Sequence, residues 1–171
     1  MGKAYLDTQQ QKRALITLCD TNHWRALVAF TFNLKQSVAT GVGGFVMVDE
    51  LAAKKAFKEY MRLLNRRIYG AAHRHHGKRL RVIPILERSV NRRWHYHVAI
   101  EPPSFMNGAE FGELAMAMWL KGDLGYEFGD VAENADSYWI SYMAKLRTKS
   151  DFEHYFDCID TDTFFNPAAS A

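Results

Sequence analysis

The chain has 171 residues, 48% of them hydrophobic and 24% charged, and 22 Lys and Arg against 19 Asp and Glu leave a formal net charge of +3. That length suits a single domain with its own core, and the composition excludes a disordered or fibrous chain. Apolar runs are cut by charge or glycine well short of the ~20 residues a bilayer span needs, and the first residues hold no apolar secretory region, so no membrane role and a cytoplasmic setting are expected.

Cys19 and Cys158 lack the paired spacing of zinc or redox sites and read as reduced thiols. The charge is uneven. Arg62, Arg66, Arg67, His73, Arg74, His75, His76, Lys78, Arg79 and Arg81 lie close together, Arg88, Arg92 and Arg93 follow, and the segment after residue 150 is acidic. A basic cluster on a nearly neutral protein is either a phosphate-binding face or a solvated helix and loop surface, and charge alone does not choose.

In chain order, Gln9 to Cys19 can form a helix. Ala26 to Leu34 is short, apolar, aromatic and β-branched, which predicts a central buried strand. Lys35 to Gly44 reads as a loop, with Gly41, Gly43 and Gly44 as breakers. Asp49 can cap a helix to about Tyr69, on which Phe57, Tyr60, Met61, Leu64 and Ile68 make one apolar stripe. Gly70 to Lys78 reads as a His-rich basic turn, whose imidazoles face solvent or phosphate or else bind metal.

Leu80 to Glu87 and Arg92 to Glu101 read as two strands joined by a turn around Ser89 to Asn91, an antiparallel hairpin stopped by Pro102-Pro103. A helix over Ala109 to Lys121 buries Phe111, Leu114 and Met118, with Ala115 and Trp119 as further candidates for that stripe, and Tyr126 to Val131 supplies a last strand. The order β-α-β-β-α-β predicts an α+β, ferredoxin-like (RRM-like) split fold: an antiparallel sheet with helices on one face, the other open to nucleic acid. A further helix starts at Asp136 or Ser137.

Two constellations can carry chemistry. On the Arg92 to Glu101 strand, alternation puts His95, His97, Ala99 and Glu101 on one face and Tyr96, Val98 and Ile100 on the other. Paired imidazoles on a rigid strand are metal-ligand candidates, or a structural coincidence. On the last helix Tyr138, Tyr142 and Lys145 fall at i, i+4 and i+7, one stripe of two phenols and an ammonium, or a tyrosine pair packed on the core beside a solvated lysine.

Together these motifs resemble the HUH endonucleases, the rolling-circle replication initiators (Rep proteins) of phage and plasmid type and related nickases. His95-Tyr96-His97 matches the His-hydrophobic-His strand, and Tyr142-Met143-Ala144-Lys145 matches the Tyr-x-x-Lys helix. Tyr138 looks like the extra nucleophile of the two-tyrosine phage gene A proteins, and Ala29-Phe30-Thr31-Phe32 like the family's first strand motif. The resemblance covers about residues 26–147 of a single 1–171 domain, leaving 148–171 as an aromatic, acidic extension.

It implies sequence-specific nicking and rejoining of single-stranded DNA through a 5′-phosphotyrosine on Tyr142 or Tyr138, with Lys145 supplying positive charge. It also implies a Mn²⁺ or Mg²⁺ ion on His95, His97 and an acidic third ligand, Glu87 or alternatively Glu101. Arg79, Arg81, Arg92, Arg93 and Trp94 are the expected DNA contacts. No Gly-x-x-x-x-Gly-Lys loop is present, so a host helicase or polymerase is expected as partner. Two rivals stand beside this reading: a single-tyrosine transposase of the same superfamily, and a non-catalytic RRM-like nucleic-acid-binding module.

Overall fold

The computed structural model describes residues 26–89, 93–127, 129–135 and 163–164, with Thr17, Trp24 and Trp139 as single positions. In chain order these residues form β1 (Val28–Asn33), β2 (Ser37–Ala39), β3 (Phe45–Met47), α1 (Glu50–Tyr69), α2 (Ala71–His76), β4 (Val82–Arg88), β5 (Trp94–Ile100), α3 (Gly108–Leu120) and β6 (Asp130–Ala132). Four strands make one sheet in the order β4-β5-β1-β6, antiparallel at every pairing. With β1, α1, β4, β5, α3 and β6 as its frame, the chain has the α+β split order its sequence predicts.

Alternation decides the layers. Val28, Phe30 and Phe32 of β1, Val82 and Leu86 of β4, and Tyr96, Val98 and Ile100 of β5 enter one core with Phe57, Tyr60, Met61 and Leu64 of α1 and Phe111, Ala115 and Trp119 of α3. The aromatic rings interlock: Phe57 stacks on Tyr96 at 4.2 Å and Phe32 on Trp119 at 4.8 Å between centroids. Each long helix starts on a side-chain cap, with Asp49 accepting from the Ala52 amide and Asn107 from the Glu110 amide.

Four expectations are corrected. Residues 35–44 are not simply a loop, because Ser37–Ala39 pairs with Phe45–Met47 as a two-stranded hairpin. The glycines that read as breakers form its tip. The His-rich stretch is not a plain turn; α2 fits between Gly70, whose φ of 53° ends α1, and Gly77. The last strand lies at Asp130–Ala132 rather than from Tyr126, whose amide instead donates to the Asn33 carbonyl beyond the β1–β6 ladder.

The fourth correction concerns the sheet's second face, which is not broadly open. Ala29, Ile83, Ile85 and Ala99 on it are as buried as the helix-side core, and Trp24 is buried too. Among the described residues of β1, β4 and β5, the end carrying Thr31, His95, His97 and Glu87 is half-exposed. Among the described residues no helix is long and apolar enough to cross a membrane. The expected N-terminal helix apart from Thr17, Cys19, Cys158, and the tyrosine helix apart from Trp139 lie outside the described residues; so does the C-terminal extension, save Thr163 and Phe164.

Candidate metal centre

The hairpin register builds the site. Glu87 of β4 stands directly across from His95 of β5, and His97, two residues on, shares the same face opposite Thr31 of β1. Directly opposed residues in an antiparallel pair bring their Cβ atoms to about 5 Å, and the diagonal neighbour stays within reach of a long side chain. One carboxylate therefore meets both rings: Glu87 Oε2 lies 3.5 Å from His95 Nε2 and 3.6 Å from His97 Nε2. The imidazoles stand edge to face, at 89° with centroids 4.9 Å apart.

Three donor atoms, one from each residue, all lie within 4.8 Å of one another. The Glu87 oxygen's separations from the two nitrogens are close to those of donors about 2.1 Å from a shared ion. The outer nitrogens support the same reading. His95 Nδ1 faces the Arg93 carbonyl at 3.3 Å, a partner that can only accept, so in the neutral ring the proton sits on Nδ1 and Nε2 carries the lone pair. His97 Nδ1 faces the Thr31 hydroxyl at 3.4 Å, which can hold that ring the same way. The cluster can hold a divalent ion through two nitrogens and one oxygen while leaving coordination positions open for an outside ligand.

Two residues that sequence reasoning did not assign to the site belong to its surroundings. Thr31 is one; its signal was its place on β1, invisible until β1 is registered against β5. Trp139 is the other, its ring edge-on to His97 with centroids 6.5 Å apart.

The remaining site residues divide. Glu101, the alternative ligand, is buried in an ion pair with Arg81 at 2.8 Å at the far end of β5, whereas Glu87 is the carboxylate that lies with the two imidazoles. Arg81, an expected DNA contact, is engaged in that pair: its side chain is only 14% exposed, and its guanidinium also lies 4.0 Å from the Trp24 ring centre. Trp94 packs on the helix side of the sheet under Arg88, away from the His face. Arg79 and Arg93 are exposed, with the Arg93 amide donating to Ser89 Oγ to close the β4–β5 connection. Arg92, Tyr138, Tyr142 and Lys145 lie outside the described residues.

Gln36 steadies the ligand strand from the other side. It pairs with Trp94 as a strand backbone would: its side-chain oxygen accepts from the Trp94 amide at 2.8 Å, and its nitrogen donates to the Trp94 carbonyl at 3.1 Å. The first residue of β5 is thus bonded just before His95.

The family model of the replication-associated protein ORF2/G2P proteins matches residues 28–147, from the first residue of β1 past the Tyr-x-x-Lys motif. No curated protein and no solved structure matches the chain.

Proposed function

The chain belongs to the replication-associated protein ORF2/G2P family, and from that premise we propose that it is a metal-dependent nickase and strand-transferase of single-stranded DNA that initiates rolling-circle replication. The observation that carries this reading is the convergence of Glu87, His95 and His97, with Trp139 of the tyrosine segment against His97.

Glu87, His95 and His97 would hold a Mn²⁺ or Mg²⁺ ion, which would supply positive charge to the oxygens of the scissile phosphate. The nitrogen donors favour Mn²⁺. Tyr142 or Tyr138 attacks phosphorus through its phenolic oxygen. The bond from phosphorus to the 3′ oxygen breaks, the strand leaves as a 3′-hydroxyl that takes up a proton, and the 5′ phosphate stays on the tyrosine. Phenols ordinarily titrate near ~10, so the attacking group needs a cation beside it; Lys145, three residues after Tyr142, is the candidate. Return of a 3′-hydroxyl to the phosphotyrosine reseals the strand with no outside energy source, because the ester bond is kept throughout.

Arg79 and Arg93 hold phosphates of the strand, with Arg92 as a further candidate. Unwinding is left to a host helicase or polymerase.

The test is to incubate the protein with labelled single-stranded oligonucleotides and Mn²⁺ and look for label that migrates with protein on a denaturing gel. A chelator-sensitive band that persists in either single variant, Tyr138→Phe or Tyr142→Phe, and vanishes in the double variant supports a two-tyrosine enzyme. Loss in one variant alone points to the single-tyrosine transposase. DNA binding with no band, unaffected by His95→Ala, would instead mean a non-catalytic module.

A further inference from the structure

The β2–β3 hairpin displays apolar side chains that the fold does not use. Val42 is 97% exposed, Phe45 77%, Met47 70% and Val46 56%, whereas Val38 packs against the core and Val48 is buried at the root. No charged residue occurs between Lys35 and Asp49 in a chain that is 24% charged. Soluble proteins rarely hold apolar groups together in solvent without a partner for them.

This display is preformed. The Thr40 amide donates to the Gly44 carbonyl and the Gly43 amide returns to the Thr40 carbonyl, while Thr40 Oγ1 donates to the Gly43 carbonyl. The tip is therefore a bonded turn, with Gly43 and Gly44 at φ of 83° and 108°. Its position also matters. The hairpin leaves β1 just after Asn33, the residue opposite His95, and its root is tied to Trp94 by Gln36. The apolar tip thus rises from the end of the sheet that carries the metal ligands.

We infer that this hairpin is a stacking platform for unpaired bases of the DNA strand held at the metal centre, with Phe45 as its central ring. The inference rests on the nickase reading and adds the element that receives the bases. Bases offer flat apolar faces, and aromatic or branched side chains stack on or wedge between them without regard to sequence. The alternatives fit less well. Four displayed side chains fall short of the roughly 20–30 residues a side of a standard protein interface. A lipid surface would call for cations on the tip, and there are none. Arg93, exposed beside Trp94, is suitably placed for the backbone of the same strand.

The test compares wild type, Phe45→Ala and Phe45→Tyr for binding to a fluorescent pool of random single-stranded 20-mers with Mn²⁺. Mn²⁺ affinity, thermal midpoint and sedimentation are measured alongside. Stacking of one base predicts a loss of about five- to a hundredfold in Phe45→Ala. Phe45→Tyr should retain wild-type binding, and Mn²⁺ affinity and thermal midpoint should be the same in all three. Undiminished DNA binding by Phe45→Ala overturns the platform and leaves the nickase reading standing. A change in sedimentation with DNA binding unaltered overturns it in favour of contact between copies of the chain. Wild type that binds Mn²⁺ but no single-stranded DNA overturns the nickase reading and the platform with it.

Discussion

Glu87 faces His95 across the β4–β5 ladder with its Oε2 3.5 Å from His95 Nε2, and the same oxygen reaches His97. A carboxylate shared by two imidazoles at the half-exposed end of a sheet is poised for a cation. Mn²⁺ at a hundred times its dissociation constant should stabilise the wild-type fold by about 2.7 kcal/mol. Glu87→Ala, His95→Ala and His97→Ala should each abolish that gain while leaving the metal-free midpoint within about 1 kcal/mol of wild type, since all three side chains are partly solvated. Thermal unfolding with and without Mn²⁺ reads this directly. An undiminished gain in His97→Ala would remove the centre.

Thr31 makes a finer test, because its hydroxyl touches the ring of His97 and not the space between the donors. Thr31→Val keeps the shape and deletes the hydrogen-bonding atom. Outer partners of metal-bound imidazoles are worth about 10- to 100-fold in affinity. Titration with Mn²⁺ should show at least the lower figure for Thr31→Val and recovery in Thr31→Ser. Equal affinities in all three would mean that the contact does not orient His97.

Much of this centre was legible because a strand's period of two is strict. Placing Tyr96, Val98 and Ile100 inward sends His95 and His97 to the other face, and the short connection from β4 sets Glu87 opposite His95. The same parity admitted Glu101. What parity could not show is that Glu101 pairs with Arg81, a partner twenty residues away. Hydropathy failed at the β2–β3 hairpin, where Val42, Phe45 and Met47 are apolar but exposed, and the glycines around them read as a break in structure. Alternation likewise cannot tell how fully a second sheet face is covered, so the burial of Ile83, Ile85 and Ala99 was not foreseen.

The Arg81–Glu101 pair separates a stabilising arginine from a DNA-binding one. Both side chains are nearly buried, so Arg81→Met strands a carboxylate without its cation, at a cost of about 3–5 kcal/mol. Chemical denaturation should register that loss. The salt dependence of single-stranded DNA binding, measured where both proteins are folded, should match wild type. Arg93→Ala should do the reverse, keeping stability and lowering the slope of log affinity against log salt by about one. A lower slope in Arg81→Met would return that residue to the DNA-contacting set.

Tyr60 gives the fold an alkaline limit. Its ring lies wholly inside the aromatic core and its hydroxyl donates to the Ala115 carbonyl of α3, and burial pushes the phenol far above its ordinary 10.0. Above pH ~10 the unfolded chain releases this proton while the folded chain keeps it, so stability falls as pH rises, by about 1.4 kcal/mol per unit from this group. Below that pH its contribution is fully present. Tyr60→Phe removes the titration along with a hydrogen bond worth about 1 kcal/mol. The variant should be the less stable protein at pH 8, and the difference should close about one unit above pH 10. Denaturant unfolding at pH 8, 10 and 11 decides the matter: a constant gap across that range would show that Tyr60 ionises in the folded state as readily as in the unfolded one, against its placement in the core.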